Sequence, residues 1–354
     1  MRRVFVDNLK GTEILAKPIY TKNDMILLSQ GIRVKKSYVG KLKELGIDYI
    51  YIEDAISEGI EIEDFIDERT RDLCKKEVKN VLEKFSTSGK VELDAIAQVA
   101  QTVIEDILSN KEVLVNISDI RREDEYTYSH SVNVCSLSVL TAIKRGYSPE
   151  KARDLAIGAL LHDLGKVLIP DEILNKETGL SAQEKEIFKQ HVIHGYEAVK
   201  DEVWLSAISK VVILTHHERL DGSGYPFGWT GDKIHDSAKI VAICDVFDTM
   251  TNRRSNRDAY KIYEVIEYLT AMKGVIFDQE IVNTFTNHIA VYPSGSGVIT
   301  NRGDYCIVIK QNNTLTTRPI IRLIKNSNGE PYENMKELDL ATETTLFIVD
   351  TYEI

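Results

Sequence analysis

Short β-branched stretches separated by turns mark the first 55 residues of the chain. Such runs of four to eight residues, bounded by turn residues, are typical of strands. A helical pattern also runs from Lys36 to Leu45 and is closed by Gly46. The pattern predicts a small α/β module over residues 1–55, with strands at 4–6, 14–16, 25–28 and 49–52.

From about residue 61 to about residue 287, apolar residues recur at the three- and four-residue spacing of amphipathic helices. Ser181 followed by Glu184 has the spacing of a capping box, which opens a helix. Helices are predicted over 64–85, 93–108, 126–144, 148–161, 181–199, 203–216, 237–251 and 262–272. Long helices with little strand signal predict an α-helical bundle domain.

The pattern changes again after His288, where the run YPSGSG at 292–297 breaks the helical periodicity. Short apolar stretches separated by turns follow, and they predict strands at 298–299, 305–309, 319–324 and 346–349. The sequence therefore predicts a multidomain, mainly α protein with four segments. They are the N-terminal α/β module over 1–55, linker or dimerisation helices over 56–112, the helical bundle over 113–290 and a C-terminal β unit over 291–354.

Charge and composition restrict the classes of partner. The 354 residues carry 44 basic and 55 acidic side chains, a formal net charge of −11. This balance argues against non-specific binding to nucleic acid polymers or to an anionic membrane. No apolar run approaches the roughly 20 residues that span a bilayer. The four cysteines are scattered and form no CxxC pair, so we expect a soluble cytoplasmic protein.

Five of the eight histidines, at positions 130, 162, 191, 216 and 217, form a string with two aspartates, Asp163 and Asp245. This is more imidazole and carboxylate than one metal ion can use. A first site would combine two nitrogen and two oxygen donors, suited to Fe, Mn, Co, Ni or Zn rather than Ca: His130, His162, Asp163 and Asp245. A second site would use three further histidines, with Asp163 bridging through its two oxygens: His191, His216 and His217.

A lone histidine is more often a surface or core residue than a ligand, and this bland alternative applies to each of them singly. The His216-His217 doublet is harder to dismiss, because it follows an apolar run at 211–214. His194 shares a helix face with His191 and is expected to lie on the surface or beside a ligand. We assign no role to His235 or His288.

Two metals roughly 3.5–4 Å apart can hold a bridging hydroxide and two phosphate oxygens, which is the arrangement that hydrolyses phosphate esters. Asp163 would then be a catalytic group as well as a ligand. Lys166, one turn further on, could place an ammonium against the phosphate or protonate the leaving alkoxide. The alternative for any lysine is simple solvation.

Two segments, ALLHDLGKVLIPDEILNK at 159–176 and HHERLDGSGYPFG at 216–228, closely resemble the HD-GYP family of cyclic di-GMP phosphodiesterases. This family is a branch of the HD metal-dependent phosphohydrolases. Supporting matches lie at 126–134, 191–195, 238–248 and 274–278, so the resemblance covers about 115–290. It implies an HD-type helical bundle as the catalytic domain. It also implies hydrolysis of cyclic di-GMP to pGpG, and in some members on to GMP.

The resemblance also implies roles for individual residues. The family's metal ligands match His130, His162, Asp163, His191, His216, His217 and Asp245. Its phosphate and substrate contacts match Lys166, Gly224, Tyr225, Arg254 and Arg257. The glycine-rich loop around Gly224 and Tyr225 makes physical sense, because glycine allows close backbone approach and tyrosine offers an aromatic face. A mere turn between helices would be compatible with the same residues.

The chain departs from the family pattern at two places. Members with a third metal carry a glutamate where this chain has Tyr126, and the neighbouring Glu125 would point about 100° away. We therefore expect two divalent ions, Fe or Mn, rather than three. The segment TNRRSNR at 251–257 stands where the family usually reads Thr-x-x-Arg-Pro-Tyr-Arg, so the exact nucleotide preference stays open.

The leading hypothesis is a metal-dependent phosphodiesterase that hydrolyses cyclic di-GMP by attack of a metal-bridging hydroxide. One alternative is a phosphohydrolase of another cyclic dinucleotide or of a nucleotide. Another is a sensor that binds a cyclic dinucleotide without turnover. The helices over 61–112 could form a homodimer interface, or their apolar faces could pack on the catalytic domain.

Overall fold

The structure is a computed structural model that describes residues 1–20, 25–45, 47, 49–62, 65–110, 114–115, 126–176, 178–252 and 259–354. Of Glu68, Tyr126 and Thr127 it describes the backbone alone. The chain divides into two compact units. Unit 1 comprises Met1–Glu63, Leu114–Arg122 and Asn287–Ile354, and unit 2 comprises Asp64–Val113 and Glu123–Thr286.

The N-terminal part of unit 1 is a small α/β arrangement. Its elements are β1 Arg2–Phe5, β2 Ile14–Leu15, β3 Ile19–Tyr20, β4 Ile26–Leu28, α1 Val39–Glu44 and β5 Tyr49–Glu53. β5 lies between β1 and β2 in one antiparallel sheet, and β3 pairs with β4 in a second. Inward-facing residues of the sheet and of α1 share one core, which includes Val4, Leu15, Leu42 and Ile52.

The C-terminal part of unit 1 is a five-stranded antiparallel sheet. Its strands are β6 Gly297–Thr300, β7 Tyr305–Lys310, β8 Ile320–Lys325, β9 Glu337–Asp339 and β10 Ile348–Tyr352, in the order β10-β6-β7-β8-β9. Ile307 and Ile324 of this sheet pack with Tyr51 and Ile60 in a second core cluster. The first and last segments of the chain therefore share buried apolar surface. The four segment boundaries drawn from the sequence stay predictions.

Unit 2 is helical. Its α-helices are α2 Glu68–Ser88, α3 Leu93–Ser109, α4 Tyr126–Lys144, α5 Pro149–Leu161, α6 Asp171–Leu174, α7 Ala182–Lys189, α8 His191–Val199, α9 Ala207–Thr215, α10 Asp236–Thr251, α11 Ile262–Met272 and α12 Gln279–Thr286. Short 3-10 helices lie at Leu164–Leu168 and Gly231–Lys233. The predicted fold class, a mainly α chain with a small α/β module and a small β unit, is confirmed.

Two predicted helices differ from the structure. The helix expected over 181–199 is two helices, α7 and α8, because Gln190 N–H bonds back to the carbonyl of Ile187 and tightens the last turn of α7. The capping box that opens α7 is present as predicted. The helix expected from Val203 begins only at Ala207, since the Ser206 hydroxyl accepts the Ser209 N–H as an N-cap.

Among the described residues, no helix combines the length and the apolar character needed to cross a membrane.

Candidate metal centre

The seven predicted ligands come together inside unit 2. His130 lies on α4, His162 and Asp163 follow α5, His191 begins α8, His216 and His217 follow α9, and Asp245 lies on α10. All are buried except His217, which is partly buried. The two pairs of adjacent residues, His162-Asp163 and His216-His217, lie at the ends of α5 and α9. Neighbours within a helix point about 100° apart, and a helix end releases the second residue of a pair from that constraint.

These side chains form two groups, and within each group the ligand atoms all lie within 4.8 Å of one another. One group is His130, His162 and Asp245, and the other is Asp163, His191, His216 and His217. Neutral imidazole nitrogens and carboxylate oxygens form donor sets that suit divalent transition metals.

The carboxylate of Asp163 faces both groups. Its Oδ2 lies 3.3 Å from His162 Nε2 and 3.5 Å from His130 Nε2, in the first group. Its Oδ1 lies 3.5 Å from His191 Nε2, in the second group. A carboxylate placed in this way can bridge two cations, as the sequence predicted for this residue.

Two imidazole nitrogens oppose each other in the first group. His130 Nε2 and His162 Nε2 are 3.2 Å apart. The other ring nitrogen of each faces an acceptor, because His162 Nδ1 lies 2.7 Å from the carbonyl of Ala159 and His130 Nδ1 lies 2.8 Å from Asp248 Oδ2. When each Nδ1 carries its proton, two lone pairs face each other, and a cation that both nitrogens bind would remove their repulsion.

The second group contains buried acceptor atoms with no hydrogen-bond partner among the described residues. They are Asp163 Oδ1, His191 Nε2, His216 Nε2 and His217 Nε2. Buried polar atoms in native proteins almost always have a partner, and each one left unpaired is costly. Four such atoms converging on one point fit a bound cation, so the residues present match the metal that the sequence predicts.

Burial and neighbouring charges set these groups in the protonation states that bind metals. Burial would raise the pKa of Asp163, but His162 and Lys166 outweigh it and hold the pKa well below its usual range. Burial lowers the pKa of His191 to about 4 and also lowers the pKa values of His216 and His217 well below 6.5. Metal ligands must be deprotonated, and these groups are so at neutral pH.

Asp248 is a buried carboxylate that the sequence analysis quoted within a motif without giving it a role. It accepts hydrogen bonds from His130 Nδ1 at 2.8 Å and from Asn133 Nδ2 at 2.6 Å. A carboxylate that holds one ring nitrogen of a ligating histidine leaves the other free for metal. The signal was in the sequence, since His130 and Asn133 are three residues apart on α4, as are Asp245 and Asp248 on α10.

Lys166 lies where the sequence placed it, one turn after Asp163. Its ammonium donates to Asp163 Oδ2 at 2.5 Å and lies 5.6 Å from the centre of the Phe188 ring. The side chain is 18% exposed. Lys166 therefore presents a positive charge, partly open to solvent, beside the carboxylate that faces both groups.

The Gly-Tyr-Pro loop is seated on the backbone of the histidine doublet. A Cβ on Gly224 would lie 2.4 Å from the carbonyl oxygen of His217, so only glycine fits there. Tyr225 N–H donates to the same carbonyl at 3.2 Å. The Tyr225 ring also stacks on the His217 imidazole, with centroids 4.6 Å apart and planes at 21°. The loop therefore borders the second group directly.

Two residues after the doublet hold this region together, and the sequence analysis missed both. The Glu218 carboxylate is 3% exposed and accepts the N–H groups of Phe227 and Trp229. The Arg219 guanidinium donates to the carbonyls of His216 and Glu218, where α9 ends. The signal available was their position, since a charged pair directly after buried ligands needs partners of its own.

The remaining predicted residues lie elsewhere. His194 is partly buried on α8 and belongs to neither group, and His235 accepts the Ser237 N–H as the N-cap of α10. His288 belongs to unit 1. Arg254 and Arg257, expected to contact the substrate, lie outside the described residues, as does the side chain of Tyr126.

Residues 102–281, just over half of the chain, match the family model described as HD domain. The chain belongs to the HD domain family. The HD domain match contains all seven converging residues and the loop at 224–229. Residues 298–354 match a model described as a KOW domain associated with HD domain. This range contains the five-stranded sheet except for Gly297, the first residue of β6.

Several proteins similar to this chain are named as phosphodiesterases of cyclic dinucleotides. The chain is 31% identical over 224 residues to a cyclic di-GMP phosphodiesterase of Pseudomonas aeruginosa, covering 63% of this chain and 54% of that protein. It is 38% identical over 145 residues to the cyclic di-GMP phosphodiesterase response regulator RpfG of Xanthomonas campestris, and the match covers 41% of this chain and 38% of that protein. It is 35% identical over 182 residues to 3'3'-cGAMP-specific phosphodiesterase 2 of Vibrio cholerae, and the match covers 51% of this chain and 35% of that protein. The chain thus spans about half or less of the length of these relatives.

Proposed function

We propose that this protein is a metal-dependent phosphodiesterase that hydrolyses cyclic di-GMP to pGpG, and further to GMP if the linear product binds again. One observation carries the proposal. Three buried histidine nitrogens without a partner among the described residues converge with an equally unpartnered oxygen of Asp163, whose two oxygens face two separate groups of ligand atoms. Relatives named as cyclic di-GMP phosphodiesterases supply the substrate class.

The two groups would hold two divalent ions, with Fe or Mn as the metals we expect. The first ion would take its ligands from His130, His162 and Asp245, and the second from His191, His216 and His217. Asp163 would contact both. Such a pair of ions, when bound, supplies an activated water and offsets negative charge on a phosphate. The location in the cytoplasm stays a prediction.

Lys166 is the protein's own cation at this centre. Its ammonium lies against Asp163 Oδ2, so a phosphodiester that enters beside Asp163 meets a hydrogen-bond donor and a positive charge. We propose that Lys166 binds a non-bridging phosphate oxygen or gives a proton to the ribose oxygen that leaves. In a protein with a net charge of −11, local positive charge of this kind is what allows an anionic substrate to approach.

The loop residues would position the substrate. Gly224 brings the backbone close to His217, and Tyr225 covers one face of the His217 ring. This cover excludes water from part of the second group and offers the substrate an aromatic edge. Arg254 and Arg257 are proposed as further phosphate or guanine contacts, on the strength of the family motif alone.

The identity of the cyclic dinucleotide is the open alternative. A relative that is 35% identical is named as specific for 3'3'-cGAMP, so this substrate is the second candidate. Both substrates share the ribose–phosphate linkage that the metal centre would cleave and differ in one base. A homodimer built through the helices of 56–112 also stays a prediction, and light scattering of the purified protein would test it.

The experiment offers cyclic di-GMP, 3'3'-cGAMP and GMP to protein loaded anaerobically with Fe(II) or Mn(II), and it separates the products by chromatography. We expect metal-dependent release of pGpG from cyclic di-GMP. The His162→Ala/Asp163→Ala double variant is the control and should release none. Loaded protein that leaves both cyclic dinucleotides intact would overturn the proposal, and binding without turnover would favour the sensor.

A further inference from the structure

The carboxylate of Glu218 is enclosed by the loop that follows the histidine doublet. Its Oε1 accepts the Phe227 N–H at 2.7 Å and its Oε2 accepts the Trp229 N–H at 2.9 Å. Only 3% of Glu218 is exposed. A buried carboxylate is tolerated when its oxygens are hydrogen-bonded, so these two bonds fix both the side chain and the loop backbone.

The same loop is attached to the metal-bearing segment at further points. Gly224 packs against the backbone of His217 and Arg219. A Cβ added to Gly224 would lie 2.4 Å from the carbonyl oxygen of His217 and 2.5 Å from the amide nitrogen of Arg219. Tyr225 N–H donates to the His217 carbonyl. The loop therefore cannot move without moving a residue of the second ligand group.

This rigid loop presents an aromatic pair. The Phe227 and Trp229 rings stack with centroids 4.7 Å apart and planes at 20°. Phe227 is 50% exposed. The N–H of Phe227 is one of the two that the buried Glu218 carboxylate accepts, so this half-exposed ring lies on a hydrogen-bonded loop that begins beside His217.

We propose that the exposed face of Phe227 is a stacking surface for one purine base of the substrate, with Trp229 as the ring that backs it and Glu218 as the residue that positions both. The inference rests on the proposed function, because it takes a cyclic dinucleotide as the ligand. Phosphate contacts at Lys166 and a base contact at Phe227 would then divide the recognition of the substrate between two parts of the same site.

A purine suits this surface for a physical reason. Offset parallel stacking on an aromatic ring needs a flat π system and tolerates several bases, whereas a peptide or a lipid headgroup lacks that flat face. Removing one base-stacking aromatic side chain weakens binding about 5- to 140-fold. A stacking contact remote from the reacting atoms changes binding and leaves the chemical step alone.

The test compares Phe227→Ala, Phe227→Tyr and Trp204→Ala as metal-loaded full-length proteins. Trp204 is a matched control, because it is also 50% exposed and lies in the same unit. Calorimetry measures the Kd of GMP and of ribose 5-phosphate, which lacks the base, and kinetics measure KM and kcat for cyclic di-GMP.

We expect Phe227→Ala to raise the Kd of GMP and the KM for cyclic di-GMP about 5- to 140-fold. The Kd of ribose 5-phosphate and kcat should stay within about twofold of the parent values, because the contact involves neither the phosphate nor the reacting atoms. Phe227→Tyr should restore binding, and Trp204→Ala should match the parent protein.

Equal weakening of GMP and ribose 5-phosphate would overturn the inference, and so would an unchanged Kd for GMP. A fall in metal content on Phe227→Ala would also overturn the inference, since a side chain that only stacks on a base coordinates no metal. The two proposals fail separately. A parent protein that binds GMP through Phe227 but leaves cyclic dinucleotides intact contradicts the proposed function alone.

Discussion

Gly165 packs directly against the carbonyl group of His191. An ideal Cβ on Gly165 would lie 2.0 Å from that oxygen and 2.5 Å from the amide nitrogen of Gly195. The 3-10 helix Leu164–Leu168, which follows Asp163 and carries Lys166, therefore contacts the first turn of α8 backbone to backbone. This contact brings Asp163 within reach of His191.

Gly165→Ala should separate these two segments. The added methyl group must displace the backbone of α8, and overpacking of this kind costs about 1–3 kcal/mol of unfolding free energy. We also expect the loss of the ion that we propose for His191, His216 and His217. Denaturant unfolding and elemental analysis would measure both effects. Gly179→Ala is the control, because a Cβ there meets nothing within 4 Å, and an equal result for the two variants would contradict this role.

Asp248→Asn should weaken metal binding without removing a ligand. Both oxygens of Asp248 accept hydrogen bonds, whereas asparagine is uncharged and has one acceptor oxygen, so His130 and Asn133 compete for it and the proton on His130 Nδ1 is held less firmly. We expect about 10- to 100-fold weaker affinity for the first ion. Titration calorimetry with Mn(II) measures it.

Asn133→Ala provides the comparison for Asp248→Asn, because it removes the second donor to the same carboxylate and leaves the bond to His130 in place. Its metal affinity should stay close to that of the parent protein. If both variants bind Mn(II) as the parent does, Asp248 does not orient His130.

The number of ions lost should depend on which ligand is removed. His216→Ala takes one donor from the second group alone, so about one of two ions should remain. Asp163→Ala removes the carboxylate that faces both groups and should release both ions. Metal analysis after gel filtration counts the ions per chain. Identical losses in the two variants would show that Asp163 does not bridge.

The side chains that converge could be chosen from the sequence because residue type and order indicate them, and their role as metal ligands stays a prediction. Doublets at helix ends and a histidine on a neighbouring helix are visible in the string of letters. The contacts that bring the ligands together could not be predicted. The separation of α7 from α8 at Gln190 depends on one backbone hydrogen bond, and the closeness of Gly165 to His191 depends on packing between segments distant in sequence.

The same distinction holds for the loop and for unit 1. Gly224 and Tyr225 were expected near the site from the motif, yet the role of Glu218 needs the position of the Phe227 and Trp229 amides nine and eleven residues later. In unit 1, short apolar stretches predicted eight of the ten described strands, each by itself, and missed β3 and β9. They could not predict that Tyr51 would share a core with Ile307, because no periodicity connects the two ends of a chain.

The metal-free protein should lose stability in weak acid through His191. Burial lowers the pKa of His191 to about 4, below the value of about 6.5 for an unfolded chain. The unfolded state therefore binds more protons, and the unfolding free energy falls as the pH drops from about 6.5 to about 4, by about 3 kcal/mol for this group. Urea unfolding of metal-free protein across that range measures it.

His191→Gln should make this dependence shallower, because the glutamine does not titrate, while His216 and His217 keep their own contributions. His194→Gln, on the same helix but in neither ligand group, should leave the slope as it is. A parent protein whose unfolding free energy is constant from pH 6.5 to pH 4 would contradict the burial of a neutral imidazole at position 191.

Anomalous X-ray scattering from crystals of manganese-loaded protein would locate each ion without reference to activity. We expect two peaks roughly 3.5–4 Å apart, one on either side of the Asp163 carboxylate, with His130 and His162 around one and the His216-His217 doublet around the other. A single peak, or ions bound away from Asp163, would contradict this arrangement.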